Sequence, residues 1–164
     1  MRELQYVLPH TCPQVHFQIE RDRMSEARKV RVAVRSLIDG TEIKREYEGD
    51  YLFKDDTHNI AYTDHSGNII TKNALQVTDT TMLLHRVGGF SGDMFFDLNS
   101  DTVVNYGAFM VGCGFALHTY EYKLTESENG LTIAVRYGLN DGKAEEISGE
   151  QTITVTYTEE NSNE

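Results

Sequence analysis

From residue 29 onward the chain alternates with a period of two, and this rhythm constrains its fold more than any other feature. Val30, Val32 and Val34 fall on one parity, with Arg31 and Arg35 on the other. In the next run Ile43, Tyr47, Tyr51 and Phe53 share one face, while Glu42, Lys44, Glu46, Glu48 and Asp50 share the opposite one. Near the end, Ile153, Val155 and Tyr157 alternate with Thr152, Thr154 and Thr156. Successive side chains of a strand point to opposite faces, so this pattern marks a sheet with one buried side.

Turn chemistry separates the runs. Asp39-Gly40, Asn129-Gly130 and Asp141-Gly142 are hairpin dipeptides, and residues 64–68 and 99–101 are rich in turn formers. Further strands read over 58–62, 69–77, 102–110, 115–124, 131–139 and 151–158. Residues 80–98 read as a central hairpin, in which Met82-Leu83-Leu84 and Met94-Phe95-Phe96 flank Gly88-Gly89-Phe90-Ser91-Gly92. Gly49 interrupts an apolar face and is expected to mark a bulge or bend. No stretch beyond the N-terminal segment carries a helical apolar period. The expectation is an all-β chain: a single up-and-down antiparallel β-barrel of about 8–10 strands, with a two-sheet sandwich as the alternative. Residues 1–28 are expected to be an N-terminal extension, 29–158 the β-barrel domain, and 159–164 an acidic tail.

Composition narrows the function classes. A chain of 164 residues can bury a real core in one domain. Its formal net charge of -11 opposes binding to nucleic acid or anionic lipid. No apolar run approaches the ~20 residues that span a bilayer, and the first ten residues lack the apolar core of a signal peptide. The expected location is the cytoplasm, where Cys12 and Cys113 are free thiols.

Several segments carry a family resemblance. They are Tyr51-x-Phe53 leading to Ile60-Ala61-Tyr62, then Leu84-His85-Arg86-Val87-Gly88, the segment 106–112, Thr119 with Leu124, Leu131-x-Ile133-x-Val135-x-Tyr137-x-Leu139, and Ile153-x-Val155. In their order and spacing, over about residues 29–157, the chain resembles the YwiB-like family of small Gram-positive bacterial proteins. The resemblance implies a calycin-like (lipocalin-like) β-barrel and no known activity. The chain departs from the family after Tyr106, where it reads Gly107-Ala108-Phe109-Met110-Val111-Gly112 instead of a Thr-Pro-Tyr-Gly-like turn.

Arg86 is the first candidate for chemistry. Period two carries it to the same side as Thr80, Met82 and Leu84, so an inward-facing strand would put its guanidinium at a barrel mouth. There it could pair bidentately with a carboxylate; the plainer role is an ion pair with an acidic neighbour. Tyr62, Tyr106 and Tyr120 offer an apolar wall with a hydroxyl, although Tyr is also an ordinary strand residue. His118 lies between Ala116 and Tyr120 on one parity. Pointing inward it could join a ligand site or ligate haem, as could His85, but a satisfied strand histidine is the commoner case. His10-x-Cys12-x-x-x-His16 has ligand residue types without a zinc spacing. The glycine-rich bends lack the Lys-Ser/Thr of a phosphate loop, and no nucleophile elbow or His-Glu-x-x-His motif is present. No catalytic residue, metal or cofactor is therefore expected. The leading expectation is a barrel binding a small apolar or amphipathic, carboxylate-bearing ligand through Arg86, Tyr62, Tyr106, His118 and Tyr120. The alternative is a packed barrel acting in interaction or assembly, for instance as a homodimer.

Overall fold

The structure of the chain, a computed structural model, describes residues 27–108, 111–143 and 145–159; the side chains of 105–108 and 111–113 are outside that description. Residues 1–26 of the expected extension, with His10, Cys12 and His16, and residues 160–164 of the tail also lie outside the described residues.

Ten strands follow one another, with no helix among the described residues. They are β1 (Arg28–Ile38), β2 (Thr41–Lys54), β3 (Thr57–Ser66), β4 (Ile69–Val77), β5 (Thr81–Gly88), β6 (Gly92–Asp97), β7 (Thr102–Ala108), β8 (Val111–Ser127), β9 (Gly130–Asn140) and β10 (Ile147–Tyr157). The expected all-β antiparallel barrel is what forms. Its single sheet runs β6-β5-β4-β3-β2-β1-β10-β9-β8-β7. Pairing of β1 with β10, from Val30↔Tyr157 to Ile38↔Gly149, brings the two ends of the sequence together. Strands β6 and β7 are the ends of the sheet and lie side by side without a ladder. The Thr102 hydroxyl donates to the Phe95 carbonyl at 2.7 Å across this seam, so the barrel is nearly closed.

Strand β3 is longer than the turn residues at 64–68 suggest. Ser66 pairs with Ile69, so only Gly67 and Asn68 form the bend, and Asp64, His65 and Ser66 extend the ladder. Gly49 is not a bulge. Its register with β1 is unbroken, and it is the last residue of β2 paired with β3, opposite Tyr62. A Cβ there would stand 2.6 Å from the Ala61 carbonyl oxygen, so the close approach of β3 requires glycine.

The alternating apolar parity faces inward and fills most of the barrel. Val30, Val32, Ile60, Leu75, Met82, Leu84, Phe96, Leu117, Ile133 and Ile153 are essentially inaccessible. Burying each such side chain contributes ~1.5–3 kcal/mol, which makes this core the main source of stability. One end is plugged by aromatic and polar groups. The Tyr51 hydroxyl meets His58 Nδ1 at 2.9 Å, His58 Nε2 lies 3.3 Å from Glu126, and the Phe53 ring packs on the imidazole. Tyr122 ties β8 to the β4–β5 turn there, its hydroxyl lying 2.7 Å from the Thr78 carbonyl and 2.9 Å from that of Thr81.

Candidate functional site

At the other end the inward residues change from aliphatic to polar. Pairing places Gly49, Tyr62, Asn73, Arg86 and Gly92 beside one another on successive strands β2 to β6. All lie on the inward parity, so they form one row around the barrel wall. The two glycines end the row and contribute no side chain. A second tier is drawn from β1 and β10, where Gln151 Nε2 lies 3.4 Å from the Ser36 hydroxyl.

These groups enclose a mouth cavity of about 260 Å³ lined by Ser36, Tyr47, Tyr62, Asn73, Arg86 and Gln151, with Phe90 at its edge. Below it the aliphatic core side chains are essentially inaccessible. The cavity is slightly smaller than the ~300–1,000 Å³ usual for drug-sized ligands, so an occupant must be small. Its walls are mixed, with Val34, Ile43 and Phe90 beside the polar groups.

Arg86 faces inward, as its parity implies, and is half-buried. Its Nε is buried with no hydrogen-bond partner among the described residues. Asp64 lines the same cavity without forming an ion pair with it. An unsatisfied buried donor on a cationic group is costly, and an anion reaching the mouth would remove that cost. Tyr62 is buried, and its ring stacks on Tyr47 with centroids 4.7 Å apart. Burial raises the Tyr62 phenol above its ordinary pKa; the Arg86 cation opposes this and Asp64 adds to it. Burial, with the Asp64 carboxylate alongside, pushes the Tyr47 phenol up to about 12. Both hydroxyls therefore stay protonated at neutral pH and remain able to donate.

Of the other expected site residues, His118 and Tyr120 are not brought to this mouth. His118 and Tyr120 point outward from β8, so neither lines the barrel interior and His118 cannot ligate a haem seated inside. The reason is a bulge in β8. Thr119 pairs with Tyr137 and Glu121 with Arg136, leaving Tyr120 as an extra residue that resets the parity. Leu117 and Thr119 therefore point in before the bulge, and Tyr122 after it. Outside, His118 Nδ1 contacts Asp101, and the Tyr120 hydroxyl donates to Glu146 at 2.7 Å. His85 is also external, paired with Asp93. Tyr106 stands in β7 opposite Cys113, but its side chain lies outside the described residues. Among the described residues no group of three or more His, Cys, Asp or Glu side chains could hold a metal. No helix among them is long and apolar enough to cross a membrane.

Sequence reading missed Asn73, Gln151 and Asp64 as mouth residues. Asn73 was discoverable, because it sits on the inward parity between Thr71 and Leu75. Gln151 and Ser36 were not, since their proximity depends on pairing between strands at opposite ends of the chain.

The fold and its mouth define a class: a small antiparallel barrel, packed through most of its interior and polar at one end, with an inward-facing arginine. Within that class, the chain belongs to the family described as "Domain of unknown function (DUF1934)", which matches residues 30–155, from β1 into β10. This agrees with the resemblance to YwiB-like proteins. The chain is similar to the crystal structure of ywiB protein from Bacillus subtilis, with 18% sequence identity and a TM-score of 0.72. That match covers 85% of this chain and 99% of the other, and at such identity it carries the fold alone. No curated protein matches the chain.

Proposed function

We propose that this barrel binds a small carboxylate-bearing molecule in its mouth. The observation that carries the reading is Arg86, which lines the cavity and whose buried Nε has no hydrogen-bond partner among the described residues. A carboxylate would take the guanidinium bidentately. The hydroxyls of Tyr62 and Tyr47 supply further donors, and the rings exclude water from one side. A charge-assisted hydrogen bond is worth ~1.5–3 kcal/mol, so Arg86→Met weakens binding by roughly 10- to 150-fold. The test is native mass spectrometry of freshly purified protein, followed by titration with a panel of small mono- and dicarboxylates. Expected are a retained mass or a carboxylate-dependent rise in melting temperature, both lost in Arg86→Met. A protein that carries no small molecule and responds to none of the panel overturns the reading.

A second reading, assembly as a homodimer, is favoured by the outer surface of the seam, where Phe95 of β6, Leu98 in the turn that follows and Val103 of β7 are exposed. Light scattering across a concentration series decides it, a constant monomer mass counting against the dimer.

A further inference from the structure

Strand β2 pairs with β1 over its register from Thr41 to Tyr51, and β3 pairs with β4 as far as Ser66. Between β2 and β3, however, the ladder ends at Gly49↔Tyr62. Beyond that point residues 45–48 and 63–66 border a cleft of about 930 Å³, with no backbone hydrogen bond between them among the described residues. Closure normally removes sheet edges from a barrel; besides β6 and β7, this barrel has two edge segments, on β2 and β3, that face each other.

The backbone of both edges is available. The Lys44 carbonyl accepts a hydrogen bond from its own neighbour, Arg45 Nη1, at 3.0 Å rather than from a strand. In an antiparallel ladder every second residue directs both backbone groups to the same side, so Glu46 and Glu48 present theirs to the cleft as Lys44 does. On β3 the same alternation selects Thr63 and His65. The side chains add a pattern. On the inner side the stacked rings of Tyr47 and Tyr62 form a floor. On the outer side Glu46 and Glu48 are exposed and join no ion pair among the described residues, whereas Asp50 is held by Lys29 and Glu42 by Arg35.

We infer that this cleft receives an extended segment of a partner protein as an added strand. Its side chains alternate, basic ones outward against Glu46 and Glu48, apolar ones inward against Tyr47 and Tyr62. Strand addition draws affinity from the backbone and specificity from alternate side chains, and both components are present here. The acidic surface of the chain, with a net charge of -11, steers a basic partner toward it.

The experiment uses the full chain and a fluorescein-labelled peptide, Lys-Val-Lys-Val-Lys-Val, followed by anisotropy and by amide hydrogen exchange. Two controls accompany it: the same peptide with alternate amides N-methylated, and its Glu-for-Lys counterpart. Expected are saturable binding, slowed exchange at residues 44–48 and 63–65, and at least a 10-fold loss of affinity for either control peptide. The exposed double variant Glu46→Lys, Glu48→Lys, with its fold checked by circular dichroism, loses at least 10-fold as well. Equal binding of the N-methylated peptide overturns the proposal, since charge attraction alone would then suffice. Protection of these amides by self-association at high protein concentration, without peptide, also overturns it by assigning the cleft to a second copy.

Discussion

Arg86 and Tyr47 show how single side chains set the character of the mouth. Arg86 is drawn inward by the apolar parity of its strand, yet it stands one step above Leu84, where the hydrophobic filling ends. Its inward direction was legible in the sequence because β5 alternates without interruption up to that residue. Its lack of a partner was not, because that depends on Asn73 and Gly92 being its lateral neighbours. Tyr47 carries a testable pH dependence. Its folded phenol titrates at about 12, and an unfolded tyrosine at ~10. Between those values the unfolded chain has released the proton that the folded chain retains, so stability falls as pH rises. The Tyr47 contribution is thus complete below pH ~10 and disappears as pH climbs through about 12. The buried phenol of Tyr62 and that of Tyr122, both raised mainly by burial, act in the same direction. Urea midpoints measured from pH 9 to 11.5 are expected to fall for the natural chain and to fall less steeply for Tyr47→Phe. Identical slopes would remove Tyr47 from the account.

At the scale of strands, two local irregularities decide where side chains go. Gly49 is the point where β2 leaves β3, and an added Cβ would press on the Ala61 carbonyl at 2.6 Å and on Val32 at 3.2 Å. The nearest atom is backbone, so β3 itself must move. Gly49→Ala is expected to lower the unfolding free energy by ~1–3 kcal/mol, the range for forcing an extra carbon into a packed site. Urea denaturation measures this, and a variant as stable as the natural chain would show that β2 and β3 are free to separate at Gly49. The glycine was visible in the sequence and read as a bulge or bend; it is no bulge, and its place at the end of a ladder was not legible because the ends of ladders leave no compositional mark. The true bulge, at Tyr120, was hidden for the opposite reason. Tyr120, Tyr122 and Leu124 look like one continuous inward face, and only the shifted pairing with β9 shows that the first points out and the second in. One unpaired residue was enough to misplace His118 and Tyr120 together.

For the whole molecule, the order of strands carries a consequence for connectivity. Among the described residues, every sequential pair of strands is a hairpin except β6–β7, and the only ladder between strands distant in sequence is β1–β10. Alternation and turns made the ten strands nearly readable, but neither says which strands meet when the sheet curls, and the seam was therefore invisible. Across it the described contacts are packing and the Thr102–Phe95 hydrogen bond. The turn at 98–101 is held mostly within itself, with Asp97 accepting from the Asn99 amide at 2.9 Å and from the Ser100 hydroxyl at 3.1 Å. If the ladders rather than this turn specify the barrel, cutting between Asn99 and Ser100 should leave the fold intact once residue 164 is joined to residue 1. All sheet neighbours would then be consecutive in sequence, from β7 through β10 and β1 to β6. Exposed turns tolerate such permutation, and loop-closure entropy changes only slowly with loop length. The permuted chain is expected to give the same amide spectrum away from the cut and an unfolding free energy within ~2 kcal/mol of the parent. Loss of cooperative unfolding would instead assign the turn between β6 and β7 an essential part in sealing the seam. It would also predict that β6 and β7 exchange their amide hydrogens no faster than the β1–β10 ladder in the natural protein.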